Sequence, residues 1–135
     1  MNDRRRAEET KRLLVRTPLI TSACALDLLV FLYRHPRTML TTEKLAAFVG
    51  HDMNQVAKSL DAFITAGLVE RTQNPMHAAR MYLLVLNGPQ GEGLKALLKL
   101  ASTRQGRREV LETLNAGRSR TEREAKQKLR LAQSA

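Results

Sequence analysis

A three-residue break, Gly50-His51-Asp52, separates two helix-length amphipathic segments of this 135-residue chain. Before the break, TTEKLAAFVG opens on Thr41-Thr42, where a hydroxyl can cap a helix, and carries Leu45, Ala46, Phe48 and Val49 as a short apolar face. Gly50 supplies the turn that ends this segment. After the break, Asp52-x-x-Gln55 has the spacing of a capping box with Asp as the cap. A helix is then expected to about Ala66, with Met53, Val56, Leu60, Phe63 and Ile64 as its apolar positions and Gly67 as its stop.

A longer apolar helix precedes this pair. Leu19, Ile20, Ala23, Leu26, Val30 and Tyr33 recur at helical intervals, and Leu28, Leu29 and Phe31 add a second apolar side. Such a helix belongs inside the core. Thr17-Pro18 is expected to open it, with Thr as cap and Pro at the first helical position. His35-Pro36 is expected to end it, because the residue before proline is pushed out of the α region. With 4% aromatic residues and no Trp against 43% hydrophobic, the core has to be aliphatic.

Downstream of Gly67, LVERTQ and RMYLLVL are short apolar segments separated by the turn-rich NPMHAA, which predicts an antiparallel hairpin. Pro75 falls in its loop. NGPQGEG then breaks the chain, and Leu94, Leu97, Leu98 and Ala101 resume a helical stripe. Gly106 is a candidate interruption, Val110, Leu111 and Leu114 continue the stripe, and Gly117 is a candidate cap. The expected organisation is a basic arm over 1–16, frayed or one extra helix turn, and a core domain over 17–88. A helical extension over 89–117 and a basic tail over 118–135, weakly helical or disordered, complete it.

The formal net charge of +10 favours a polyanionic partner, with nucleic acid ahead of a membrane surface. The apolar run over 23–33 contains Asp27 and is too short to span a bilayer, and the polar start MNDRRRAEETKRLL does not read as a signal peptide. A single cysteine, Cys24, allows no intrachain disulfide and fits a reducing cytoplasm; on the apolar helix it reads as a small buried hydrophobe. His35, His51 and His77 have no metal-ligand spacing, so neither a metal nor a cofactor is expected. No nucleophile elbow, phosphate loop or zincin motif is present, so the chain is not read as an enzyme.

The order helix, short helix, Gly turn, helix, Gly-Leu-Val, hairpin, helix resembles the winged helix-turn-helix superfamily of bacterial transcription regulators. Thr41, Leu45, Ala46, Gly50, Val56, Leu60, Gly67, Leu68, Val69 and Arg71 carry the likeness, over about half the chain. The helices before and after the hairpin look most like the MarR or ArsR type of small regulator. The resemblance implies a mainly α fold of a three-helix core with a two-stranded wing and C-terminal helices. It also implies a homodimer that reads two half-sites of duplex DNA. The wing departs from the MarR pattern. Its tip, Asn74 to Ala79, is nearly uncharged, and Arg71 and Arg80 flank it as the backbone contacts.

Physical chemistry points to the same helix. With its apolar side turned inward, the segment over 52–66 leaves Asn54, Gln55, Lys58 and Ser59 outward. Asn and Gln can bond adenine edges in the major groove, and Lys can reach guanine or phosphate. Thr41, Thr42 and Lys44 can contact phosphate at the start of the preceding helix, although Thr41 suits a simple cap equally well. The stripe of Leu94, Leu97, Leu98, Val110, Leu111 and Leu114 fits either a dimer interface or packing against the winged domain. Two other readings stay open: a winged module that binds protein, and RNA or ribosome binding through basic residues of the tails.

Overall fold

A computed structural model of the chain describes residues 3–72, 79–88 and 91–133. The elements run α1 (Asp3–Val15), α2 (Ala23–Arg34), β1 (Met39–Leu40), α3 (Thr42–Val49), α4 (Met53–Thr65), β2 (Val69–Arg71), β3 (Arg80–Leu84), α5 (Gly91–Ala101) and α6 (Arg104–Gln133). The strands form one antiparallel sheet in the order β1-β3-β2.

Helix α2 is the hub. Leu26, Leu28 and Leu29 are fully buried, and α2 packs against α3, α4, α5 and β3. The apolar stripes of the other elements close on it through Leu45, Val56, Leu60, Phe63, Val69, Tyr82, Leu94, Leu97, Leu98 and Val110. Each such side chain contributes roughly 1.5–3 kcal/mol on burial. That packing, more than propensity, holds helices as short as the 8-residue α3 and 13-residue α4.

The start of α2 differs from expectation. Its cap is Ser22, whose Oγ accepts from the Ala25 N–H at 3.2 Å. Thr17 instead finishes α1: it is buried, its N–H donates to the Leu14 carbonyl, and its hydroxyl donates to Leu13 at 3.0 Å. The Thr17-Pro18 pair thus closes one helix rather than opening the next, by the constraint proline places on the residue before it. The expected stop at His35-Pro36 holds, with the His35 N–H bonded to the Phe31 carbonyl at 2.9 Å.

The N-terminal segment is a 13-residue helix, not a frayed arm. It packs on α5 and α6, burying Thr10 and half-burying Leu13 and Leu14. Nor do the glycines of the C-terminal half act as expected. Gly106 lies in the first turn of α6 and does not break it; the break falls at residues 102–103, where Thr103 Oγ1 accepts from the Gly106 N–H at 3.0 Å. A Cβ at Gly106 would collide with the Leu100 carbonyl, so glycine is what lets α6 start so close to the end of α5. Gly117 caps nothing, since the 30-residue α6 runs through it and through the segment expected to be weak or disordered.

The wing gains a third strand. Met39 and Leu40 pair with Met81 and Arg80, and β2 pairs with β3 from Val69–Leu84 to Arg71–Tyr82. Thr72 extends the β2–β3 ladder, donating its N–H to Met81 at 2.9 Å and accepting from the Met81 N–H through Oγ1 at 3.1 Å. The tip expected over 74–79 lies, apart from Ala79, outside the described residues.

Candidate nucleic-acid interface

Local signals fix the two helices of the interface. Thr41 caps α3, its Oγ1 accepting from the Lys44 N–H at 3.1 Å. Gly50 ends α3 in the left-handed region at φ 73°, which costs a residue without a Cβ little. Asp52 caps α4 through Oδ2, which accepts from the N–H groups of Asn54 at 3.1 Å and Gln55 at 3.3 Å. Gly67, at φ 79°, turns the chain out of α4, and the Leu68 N–H returns to the Phe63 carbonyl at 2.9 Å.

With Val56, Leu60 and Phe63 buried, α4 presents Asn54, Gln55 and Lys58 to solvent. These residues sit in the first two turns, next to the Asp52 cap. Ser59 does not share that face. It is half-buried, and its hydroxyl donates to the Cys24 sulfur on α2 at 4.0 Å. At the start of α3, Lys44 is exposed while Thr41 and Thr42 are half-buried.

Of the wing arginines, Arg71 is exposed on β2. Arg80 is half-buried on β3 and donates through Nη1 to the Ala79 carbonyl at 3.3 Å. The register sets Arg80 opposite Leu40, next in sequence to the Thr41 cap. The sheet therefore brings the loop-side end of β3 alongside the start of α3.

A charged cluster that sequence reasoning missed braces the turn between the helices. On α2, Asp27 Oδ1 accepts from Arg107 Nε at 2.7 Å, and Oδ2 accepts from Arg107 Nη2 at 2.9 Å. The same Oδ2 is 2.8 Å from Nε2 of His51, the residue between the α3 and α4 caps. Burial alone would push the Asp27 carboxyl up. The hydrogen bonds and charges of Arg107 and His51 outweigh it and hold the group below its ordinary range. The available signal was an acid inside an apolar helix, since a carboxylate placed there needs partners.

The candidate dimer stripe divides. Leu94, Leu97, Leu98 and Val110 are buried within the single chain, so they serve packing against the winged domain. Leu111 packs partly buried beside them, and Leu114 is half-buried. Among the described residues there is no cluster of His, Cys, Asp or Glu fit to hold a metal, and no helix is long and apolar enough to cross a membrane.

No protein-family model and no curated protein matches the chain. Solved structures do. The transcriptional regulator PA3341 is 27% identical with a TM-score of 0.50, over 95% of this chain and 92% of that one. MarR is 21% identical with a TM-score of 0.51, over 98% and 90%. The transcriptional repressor CouR, solved on a 23-mer DNA duplex, is 20% identical with a TM-score of 0.48, over 98% and 89%. The ArsR side of the resemblance rests on sequence alone. The chain folds as a winged helix of the MarR type.

Proposed function

We propose that this chain is a transcriptional regulator that binds duplex DNA sequence-specifically, with α4 in the major groove. The observation that carries the reading is the exposed face of Asn54, Gln55 and Lys58 on a helix whose opposite side is locked into the core. Such a helix can enter a groove without losing its own support. The net charge of +10 supplies long-range attraction to the duplex, and the structural likeness to PA3341, a transcriptional regulator, supports the role. Lys44, Arg71 and Arg80 are the proposed phosphate contacts, with Thr41 and Thr42 at the start of α3. The reading makes the protein a cytoplasmic regulator and not an enzyme. A homodimer would read two half-sites, and its interface has to use surfaces other than the four buried stripe residues.

A second reading, a winged module that binds protein, is favoured by one observation. Phe48 on α3 is 66% exposed while stacking on Phe31 at 5.7 Å between ring centroids.

Fluorescence anisotropy of a generic duplex against salt tests the first reading. Neutralising about five to eight phosphates makes affinity fall by orders of magnitude between about 50 and 200 mM salt. Changing Asn54, Gln55 and Lys58 together to Ala should then abolish preference among sequences. Absence of duplex binding even at low salt rejects this reading in favour of the protein module.

A further inference from the structure

We infer that Asp27 is a positioning residue for α4, and that Arg107 holds it there, so that α6 is mechanically coupled to the helix-turn-helix. Only its consequence for DNA rests on the function proposed above. The coupling itself stands on the geometry of the free protein.

The path is short and made of directional contacts. The Arg107 guanidinium grips both carboxylate oxygens of Asp27, at 2.7 and 2.9 Å. That fork fixes the orientation of the carboxylate, which a single contact would not do. The same carboxylate holds His51 at 2.8 Å. His51 is followed by Asp52, whose side chain caps the N–H groups of Asn54 and Gln55. Three elements distant in sequence thus meet at one carboxylate, and the proposed reading residues lie at the end of the chain of contacts.

Stability alone gives a weak reason for this arrangement. A half-buried charge cluster contributes little net stability compared with apolar packing of the same volume. Its distinctive property is orientation. The opposite side of α6 packs on α1, where Glu109 lies 3.4 Å from Arg6 as an ion pair without a hydrogen bond. The start of α6 is therefore held between α1 and α2, and α6 spans 30 residues, or about 45 Å at the rise of an α-helix. A tilt of the α1–α6 pair against α2 has to break or drag the Arg107–Asp27 fork. The turn before α4 would follow.

The test compares wild type, Arg107→Gln, Arg107→Lys, Asp27→Asn and the Asp27→Asn/Arg107→Gln double variant. Arg107 is an exposed side chain, so its variants are expected to fold. Hydrogen exchange of the segment over 50–56 is followed in the free proteins. Affinity and salt slope are measured on a duplex selected from a random pool. Loss of one charge-assisted contact predicts exchange faster by about tenfold in Arg107→Gln, with affinity weaker by about tenfold. Arg107→Lys should recover part of both effects. The salt slope should stay unchanged, because an Arg107 that touched phosphate directly would lower it by about one. Adding Arg107→Gln to Asp27→Asn should change nothing more. Unchanged exchange over 50–56 in Arg107→Gln, or effects of the two changes that simply add, would overturn the inference. If the wild type binds no duplex, the DNA reading fails alone, and exchange still decides the coupling.

Discussion

The Ser59 hydroxyl points inward to the Cys24 sulfur, 4.0 Å away across the α2–α4 contact. The two residues thus help seal the inner side of the helix whose outer side is proposed to read DNA. Burial raises the Cys24 thiol above its ordinary range; the Ser59 hydrogen bond works against this, and the Asp27 and Asp52 charges add to it. Since the thiolate is the reactive form, Cys24 should resist iodoacetamide in the native protein at mildly alkaline pH and react fully in denaturant. Rapid native alkylation would contradict the packing of this contact. Ser59→Ala should leave DNA affinity unchanged, because the hydroxyl is already engaged.

Acid should weaken the fold through Asp27. Its folded-state pKa lies below the ordinary 3.8, so ionisation favours the folded state. That contribution is complete above the unfolded value and is lost as pH falls through the folded one. Chemical denaturation across pH should therefore show no loss from this group between pH 7 and about 5, and a loss below about 4. Asp27→Asn should flatten that segment of the profile. At neutral pH it should cost about 1–2 kcal/mol, toward the low end for a buried pair because Arg107 keeps contact with water.

Two glycines of α6 should respond in opposite directions to alanine. In both places helix propensity favours Ala by about 1 kcal/mol. At Gly106 the added Cβ meets the Leu100 carbonyl, and overpacking against backbone costs about 1–3 kcal/mol, so the variant should melt at lower temperature. At Gly117 a Cβ meets nothing within 4 Å among the described residues, so the variant should melt at higher temperature. Thermal unfolding by circular dichroism reads both. Equal shifts would contradict the close crossing of α5 and α6.

Single changes on α4 should separate positioning from reading. Lys58→Ala should weaken all duplexes alike and lower the salt slope by about one if its ammonium meets phosphate. Asn54→Ala or Gln55→Ala should leave the slope alone and relax preference at one base pair, by about 1–3 kcal/mol. Titrations of matched and mismatched duplexes at several salt concentrations distinguish these outcomes.

Legibility followed the range of the forces involved. Helices α3 and α4 were readable nearly to the residue, because Thr41, Gly50, Asp52 and Gly67 act within one turn of their own positions. Thr17-Pro18 misled because the same pair suits the end of one helix and the start of another, and only the buried Thr17 hydroxyl on Leu13 decides. Met39-Leu40 has too little sequence to announce a strand and becomes one because β3 lies opposite. Within the candidate interface, periodicity separated Asn54, Gln55 and Lys58 from the core. It could not resolve Ser59, which sits where the outer side turns inward. The Asp27 cluster spans 80 residues between its partners, beyond the reach of any local pattern.

The small sheet also limits how copies of this chain can associate. Its strand order puts β3 in the centre, leaving β1 of 2 residues and β2 of 3 as the outer strands. Short outer strands make poor templates for adding a foreign strand, and Glu70 and Arg71 place charge on one of them. Growth of sheets from molecule to molecule is thereby discouraged at both edges of this sheet.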